Sequence, residues 1–464
     1  MVRGETAGFW MPRISKSARP LYLAIADALA ADVSSGALAG GTRLPPQRVL
    51  AEALDIDFTT VTRAYAEARR RGLLEGRVGQ GTYVRPSGPA AVLAPGSVID
   101  MSMNLPPRFT DAQLTARLWR DIGSLQEGGG VELLLRYQEP GGTRADRRAG
   151  AAWLASRLGK VPLERVLVCP GAQGALLALL GALAEPGQSV CTEALTYPGL
   201  LSALAHLRLK PLGVEIDAEG IVPEALREVC RTHRPKVLYC NPTLHNPTTA
   251  TLSLPRRKAL LEIARTYGVA VIEDDAYGAL PRKPVAPLAA LGPDIVYHVA
   301  GLAKCLSPAL RIAYLVLPEG AVASRIAGAV RATATMASPL TAAIATRWIE
   351  SGTADAILEA IRTESAARRA SAAELLPPER TRIAADGFHA WLELPGGWPR
   401  AQFLAQLRQG GIGAVSSDAF AVSAHPEAVR LGLGVPASGA ELFAGLKRIA
   451  ALLKEAPAAS DLVV

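Results

Sequence analysis

The sequence predicts an α/β protein in two parts: a small N-terminal unit of three helices and a hairpin, and a large domain on a mostly parallel sheet with helices on both faces. Three observations carry this. From about residue 98, apolar runs of four to six residues alternate with amphipathic stretches, the pattern of strands covered on both sides. Residues 20–84 show helical spacing three times and then a glycine-bearing hairpin pattern. Between the two, "RPSGPAAVLAPGS" (85–97) is rich in Pro, Gly and Ala, has no period, and reads as a flexible linker.

In order along the chain, "PLYLAIADALAADVSSG" carries apolar residues at helical spacing and stops at Gly36. "LPPQRVLAEALDI" starts after two prolines, as short helices do. "DFTTVTRAYAEARRRG" has Asp57 as N-cap and Gly72 as the glycine that ends it. Val61, Tyr65 and Ala68 form its inward stripe, so Thr59, Thr60, Thr62 and Arg63 point elsewhere. "LLEGRVGQGTYV" is the hairpin. In the large domain the strands are "RVLVCP", "SVCTE", "KVLYCNP", "GVAVIEDD", "DIVYHVAG" and "RIAYLVLP", a sheet of at least six. After residue 318 helices dominate, with short strands at "FHAWLEL" and "VRLGLGV", the signature of a smaller α+β lobe.

The totals narrow the function. No stretch of this 464-residue chain is apolar for the roughly 18 residues of a membrane helix, and the N-terminal residues lack the apolar core of a signal peptide. The five cysteines and six histidines are scattered, which points to reduced thiols in a cytoplasm and to no metal site. Net charge is +8, and residues 1–85 hold 12 Lys+Arg against 8 Asp+Glu. That uneven balance fits either a solvated basic face or a nucleic-acid surface.

Ligands on such sheets sit at the carboxyl ends of the strands. Three residues there stand out: Asn246 in "CNPTLHNP", Asp274 in "EDDAY" and Lys304 in "GLAK". Each has an ordinary alternative. Asn246-Pro247 fits a turn, Asp274-Asp275 a helix cap, and Lys304 a lysine whose stem lies on apolar surface. Their shared placement at strand ends is what singles them out.

"CNPTLHNPTTATLS", "VIEDDAYGAL", "GLAKCLSPALRIAY" and "VRLGLG" resemble the Asn-Pro, Asp-x-x-Tyr, Lys and C-terminal Arg motifs of fold-type-I pyridoxal-phosphate enzymes, the aspartate aminotransferase group. The N-terminal block, "LPPQRVLAEALDIDFTTVTRAYAEARRRGLLEGRVGQGTYV", resembles the winged helix-turn-helix of GntR regulators. In this order the pair is similar to the MocR subfamily of bacterial regulators. The resemblance implies a DNA-binding domain at 12–84, a linker at 85–98 and an aminotransferase-like domain at 99–464. The last would have a large domain at about 120–318 and a small lobe at about 319–464 joined by 99–119.

It also implies roles. Lys304 carries the aldehyde of pyridoxal 5′-phosphate as an internal aldimine, its amine made nucleophilic by desolvation. Asp274 faces the pyridine nitrogen and keeps it protonated. Asn246 and Tyr277 bond the ring hydroxyl, and Tyr197 stacks on the ring. Arg311 and the N–H groups of Gly171, Ala172 and Gln173, opening a helix at "PGAQGALLALL", take the phosphate. Tyr137 in "RYQEPGG" reaches that phosphate from the partner subunit of a homodimer, and Arg430 binds the α-carboxylate of an amino-acid ligand. On DNA, Arg48, Thr59, Thr60, Thr62 and Arg63 address the operator from the second and third helices, with Arg77 and Gly79 at the wing.

The sequence departs from the family at Gly301, Ala303 and Pro170, where hydroxyl residues are usual, at Thr249, where Gly is common, and at Phe58, where a polar residue is common. Fewer phosphate donors imply weaker cofactor binding. The expected function is a transcription regulator that senses an amino acid, amine or related effector. The alternatives are an aminotransferase with a DNA-binding head, or a sensor of pyridoxal phosphate itself.

Overall fold

The computed structural model describes residues 10–12, 14, 20–34, 38, 42–70, 73–77, 81–84, 98–127 and 130–455. The chain divides into two compact units, Met1–Ala94 and Pro95–Val464.

In the first unit α1 (Leu21–Ser34), α2 (Gln47–Leu54) and α3 (Phe58–Arg70) precede a hairpin of β1 (Leu74–Arg77) and β2 (Gly81–Val84). α2 follows Pro46 and ends at Asp55, whose φ of 52° turns the chain toward α3. Asp57 accepts the Thr59 N–H at 2.8 Å, the cap read from the sequence. Val61, Tyr65 and Ala68 are buried with Leu29, Leu50, Leu74 and Val84. Gly36, Gly72, Gly79 and the linker 85–97 lie outside the described residues.

The second unit holds a seven-stranded sheet: β3 (Val166–Cys169), β4 (Ser189–Glu193), β5 (Lys210–Val214), β6 (Val237–Cys240), β7 (Ala270–Asp274), β8 (Val296–Gly301) and β9 (Ala313–Val316). Their order is β3-β9-β8-β7-β6-β4-β5. The pairs from β8 to β5 are parallel, whereas β9 runs antiparallel to both neighbours. "RIAYLVLP" is therefore not one of the parallel strands its apolar run suggested. Burial on both faces gives the same composition whichever way a strand runs.

Alternate residues of each strand feed different apolar layers. Leu167, Tyr239, Ile272 and Leu315 pack on one face with Leu176 and Leu179 of the helix Gly171–Leu183. Leu238, Cys240 and Val271 pack on the other with Leu260 and Ile263 of the helix Leu254–Tyr267. A smaller antiparallel sheet follows, β10 (Thr381–Ile383), β11 (His389–Glu393), β12 (Val415–Ser416) and β13 (Ala428–Gly432), in the order β10-β11-β13-β12. Ile99–Asp100 pairs in parallel with Ile412–Gly413, so the first described residues of this unit join the C-terminal lobe. Among the described residues, no helix is long and apolar enough to cross a membrane.

Candidate functional site

The strand pleat distributes the acidic run Glu273-Asp274-Asp275. Ile272 is opposite Tyr239 in the register, and Asp274, two residues on, shares their face. Its Oδ2 accepts the Tyr239 hydroxyl at 2.7 Å and its backbone carbonyl accepts Asn241 Nδ2 at 2.7 Å. Its Oδ1 is buried and has no protein partner. Burial raises the Asp274 carboxyl to about 6, against the lowering effect of the Tyr239 hydroxyl.

Glu273 and Asp275 turn to the opposite layer. Glu273 accepts the N–H groups of Leu288 and Ala289 at 2.7 and 3.0 Å, and lies 2.8 Å from His298 Nδ1 and 3.6 Å from Arg257. Asp275 pairs with Arg157 and lies 3.5 Å from His298 Nε2. A helix cap was one reading of this stretch, and Glu273 is the carboxylate that provides one. Of the three, Asp274 is the one with a buried carboxylate oxygen that has no protein partner.

Lys304 follows β8 and donates to the Asn104 carbonyl. Burial, then the neighbouring Arg430, depress its amine from 10.5 to about 8, with Asp274 opposing. Tyr277 is buried and its hydroxyl accepts Asn104 Nδ2 at 2.8 Å. Asn246 Oδ1 accepts Arg430 Nη1 at 3.0 Å, and Arg430 also donates to the Ser102 carbonyl. The Arg430 guanidinium lies 5.1 Å from the Phe420 ring centre, while its Nε is buried without a partner.

Because β9 is antiparallel, its beginning lies at the same sheet edge as the ends of β3 and β8, with Ala313 opposite both Cys169 and Gly301. Arg311, two residues before Ala313, is delivered there. Gly171 opens its helix at φ +75°, and a Cβ on it would lie 3.6 Å from the Arg311 guanidinium. Gln173 Nε2 donates to the Gly199 carbonyl at 2.8 Å. The Tyr197 ring covers Gly199 so closely that a Cβ there would fall 2.3 Å from it.

One cavity of about 580 Å³ is lined by Lys304, Asp274, Tyr277, Asn246, Tyr197, Arg311, Gly171, Ala172 and Gln173, and also by Tyr239 and Asn241. Arg430 lies one hydrogen bond behind Asn246. Tyr137 is not among the lining residues and is 85% exposed. Sequence reasoning missed Tyr239, Asn241, Ser102 and Asn104. The first carried a readable signal, a hydroxyl inside the apolar run "VLYC". Asn104 had none, because it meets Lys304 from 200 residues upstream.

In the N-terminal unit Arg48, Thr59 and Arg63 are exposed, while Thr60 and Thr62 are half-buried. Arg63 lies over the Tyr22 ring at 4.2 Å, and Thr62 donates to Gln47 Oε1 at 2.9 Å, tying α3 to α2. Arg77 ends β1, and Gly79 lies outside the described residues.

Known proteins share both units. Residues 99–443 match the family Aminotransferase class I and II, and residues 21–84 match the bacterial regulatory proteins of the gntR family. The HTH-type transcriptional regulator YdeF of Bacillus subtilis is 29% identical over 453 residues, covering 96% of this chain and 97% of that protein. The probable rhizopine catabolism regulatory protein MocR of Rhizobium meliloti is 28% identical over 330 residues, 64% of this chain and 66% of that one. Among solved structures, Pyrococcus horikoshii kynurenine aminotransferase, in complex with PMP, superposes with a TM-score of 0.71 at 25% identity, over 77% of this chain and 91% of that one.

Pyridoxal phosphate is the cofactor of such aminotransferases, and the cavity fits it. The unpartnered Asp274 Oδ1 suits a protonated ring nitrogen, and the Gly171 turn beside Arg311 suits a phosphate. The gntR-type unit is a DNA-binding domain. The chain belongs to the aminotransferase class I and II family, in the MocR type of GntR regulator that carries a helix-turn-helix ahead of the aminotransferase-like domain.

Proposed function

We propose that this protein is a cytoplasmic, homodimeric transcription regulator that senses an amino acid, amine or related effector at the cofactor cavity and changes its hold on a double-stranded operator. The observation that carries the reading is the convergence of Lys304, Asp274, Tyr277 and Asn246 on one cavity, with Arg430 behind them, in a chain that also holds a DNA-binding unit.

Pyridoxal phosphate, when bound, supplies an aldehyde that condenses with amines and a ring that withdraws electrons. The chain's own residues do the rest. Lys304 is the attachment point, and its depressed pKa leaves a reactive share of neutral amine near neutral pH. Asp274, fixed by Tyr239, presents its free oxygen to the ring nitrogen. Tyr197 would stack on the ring, and Asn246 and Tyr277 would bond its hydroxyl. The amides of Gly171, Ala172 and Gln173 and the Arg311 fork would hold the phosphate, with Tyr137 of the second copy as a further donor. Arg430 already stands in a buried, hydrogen-bonded position, ready for the effector's carboxylate. Arg48, Thr59, Thr60, Thr62 and Arg63 would make the DNA contacts, together with Arg77 and Gly79.

The completeness of this set favours a second reading, amino-group transfer by the same site. Operator titrations with a panel of amino acids and amines separate the two. An effector that shifts operator affinity in the wild type and not in Lys304→Ala supports sensing. Steady turnover without sequence-specific DNA binding overturns it.

A further inference from the structure

α3 begins with an aromatic side chain that the fold does not use. Phe58 is 42% exposed in the first turn of α3, at the outer end of the stripe whose later members Val61, Tyr65 and Ala68 are buried in the core of the unit. The Arg48 guanidinium from α2 lies 5.8 Å from the Phe58 ring centre. Stacking of this kind fixes the plane of the guanidinium and leaves its edge free to donate. The supports are built in: Asp57 caps α3 one residue earlier, and Thr62, one turn later, is bonded to Gln47, the residue before Arg48.

The surroundings say which part of DNA this tip suits. Arg48 and Phe58 line a shallow surface hollow with Glu52, Asp55 and Asp57. The Thr59 hydroxyl and amide hold the Asp57 carboxyl below its ordinary range. Three carboxylates beside one arginine repel a phosphate. Base edges, which carry no net charge, do not meet that repulsion. On the major-groove floor an exposed phenyl ring has one apolar partner, the 5-methyl group of thymine, and a planar guanidinium has guanine.

We propose that Phe58 reads a thymine, its ring edge packing on the 5-methyl group, next to a guanine addressed by the stacked Arg48. The inference rests on the DNA-binding reading of α3 and adds the base pair that this chain's own residues select. Its departure from the polar residue common at this position becomes a specificity device.

The test uses the full chain loaded with cofactor. Binding sites are selected from a pool of random duplexes. Each thymine of the recovered site is then replaced by uracil, which removes only the methyl group. At one position, or at one symmetric pair, wild-type affinity falls about fourfold per methyl, the scale of one buried CH₂ or CH₃ group. Phe58→Ala, a substitution at a half-exposed side chain outside the core, binds the thymine and uracil duplexes equally. Cytosine at that position binds the wild type as weakly as uracil, and 5-methylcytosine restores affinity. A shared site whose uracil forms all bind like the parent, or a methyl effect that persists in Phe58→Ala, overturns the role of Phe58 and leaves the DNA reading standing. A pool that yields no shared site overturns both.

Discussion

Asp274 and Asp275 are adjacent, equally buried carboxylates with different tasks, because a strand pleat points them to opposite faces. Asp275→Ala strands the Arg157 guanidinium, whose side chain is 5% exposed, and is expected to cost about 3–5 kcal/mol in a denaturant melt. Asp274→Ala spares that pair and is expected to weaken cofactor binding in protein that remains folded. An Asp275 variant that stays stable yet loses the cofactor faster would exchange the two roles. Tyr239→Phe removes a hydrogen bond to a charged group, worth about 1.5–3 kcal/mol, or about 1–2 pKa units. Asp274 then ionises at higher pH, so the pH below which the cofactor is lost is expected to move up. For Lys304 the sign is the reverse. A lowered amine pKa of about 8 leaves about a tenth of it neutral at pH 7, against about one in three thousand for an ordinary lysine. Borohydride trapping of pyridoxal phosphate by cofactor-free protein should rise with pH and level off above about 8, and Lys304→Ala should trap none while keeping its circular dichroism. The spacing of "DDAY" marked Asp274, but nothing in the sequence said that Glu273 would do the capping.

At the level of elements, "RIAYLVLP" was legible as a strand and illegible in direction. Its reversal brings Arg311 to the ligand edge, which a parallel strand would not do. The seventh strand, "KPLGV", was missed because it is a partly exposed edge with a proline, where the apolar run breaks. Gly171 is the position where the helix after β3 depends on glycine. Gly171→Ala forces an L side chain to φ +75°, at a cost of about 1–2 kcal/mol, and is expected to show as weaker cofactor affinity in a fluorescence titration. The missing hydroxyl at Gly301 also has a local partner. A Cβ there would come within 3.3 Å of the Ala172 methyl, so these two small residues occur together. The three-helix and hairpin unit was the most legible of all, because its turn residues and inward stripe are local signals.

For the whole molecule, mass measurement in solution is expected to show a dimer. A monomer that holds the cofactor at full occupancy would contradict the contribution of Tyr137. Arg48→Ala and Arg63→Ala should each weaken operator binding, and affinity should fall steeply with salt, because releasing condensed counterions gains less entropy as bulk salt rises. A linker of about 12 residues spans roughly 17–21 Å when flexible, so two half-sites at somewhat different spacings should be accepted.

The short run from Ile99 to Leu105 has a consequence for anyone dividing this chain. Its first two residues pair with Ile412–Gly413, the Ser102 carbonyl holds Arg430, and the Asn104 carbonyl and amide hold Lys304 and Tyr277. A scissor placed by sequence similarity to a minimal catalytic domain could fall on either side of it. A fragment starting at residue 95 keeps those acceptors and should still trap pyridoxal phosphate on Lys304. A fragment starting at residue 106 removes them, takes one carbonyl acceptor from Lys304 and one from Arg430, and should lose the cofactor even where its sheet survives. The gene junction between the DNA-binding and aminotransferase-like halves is therefore bounded on its downstream side by Ile99.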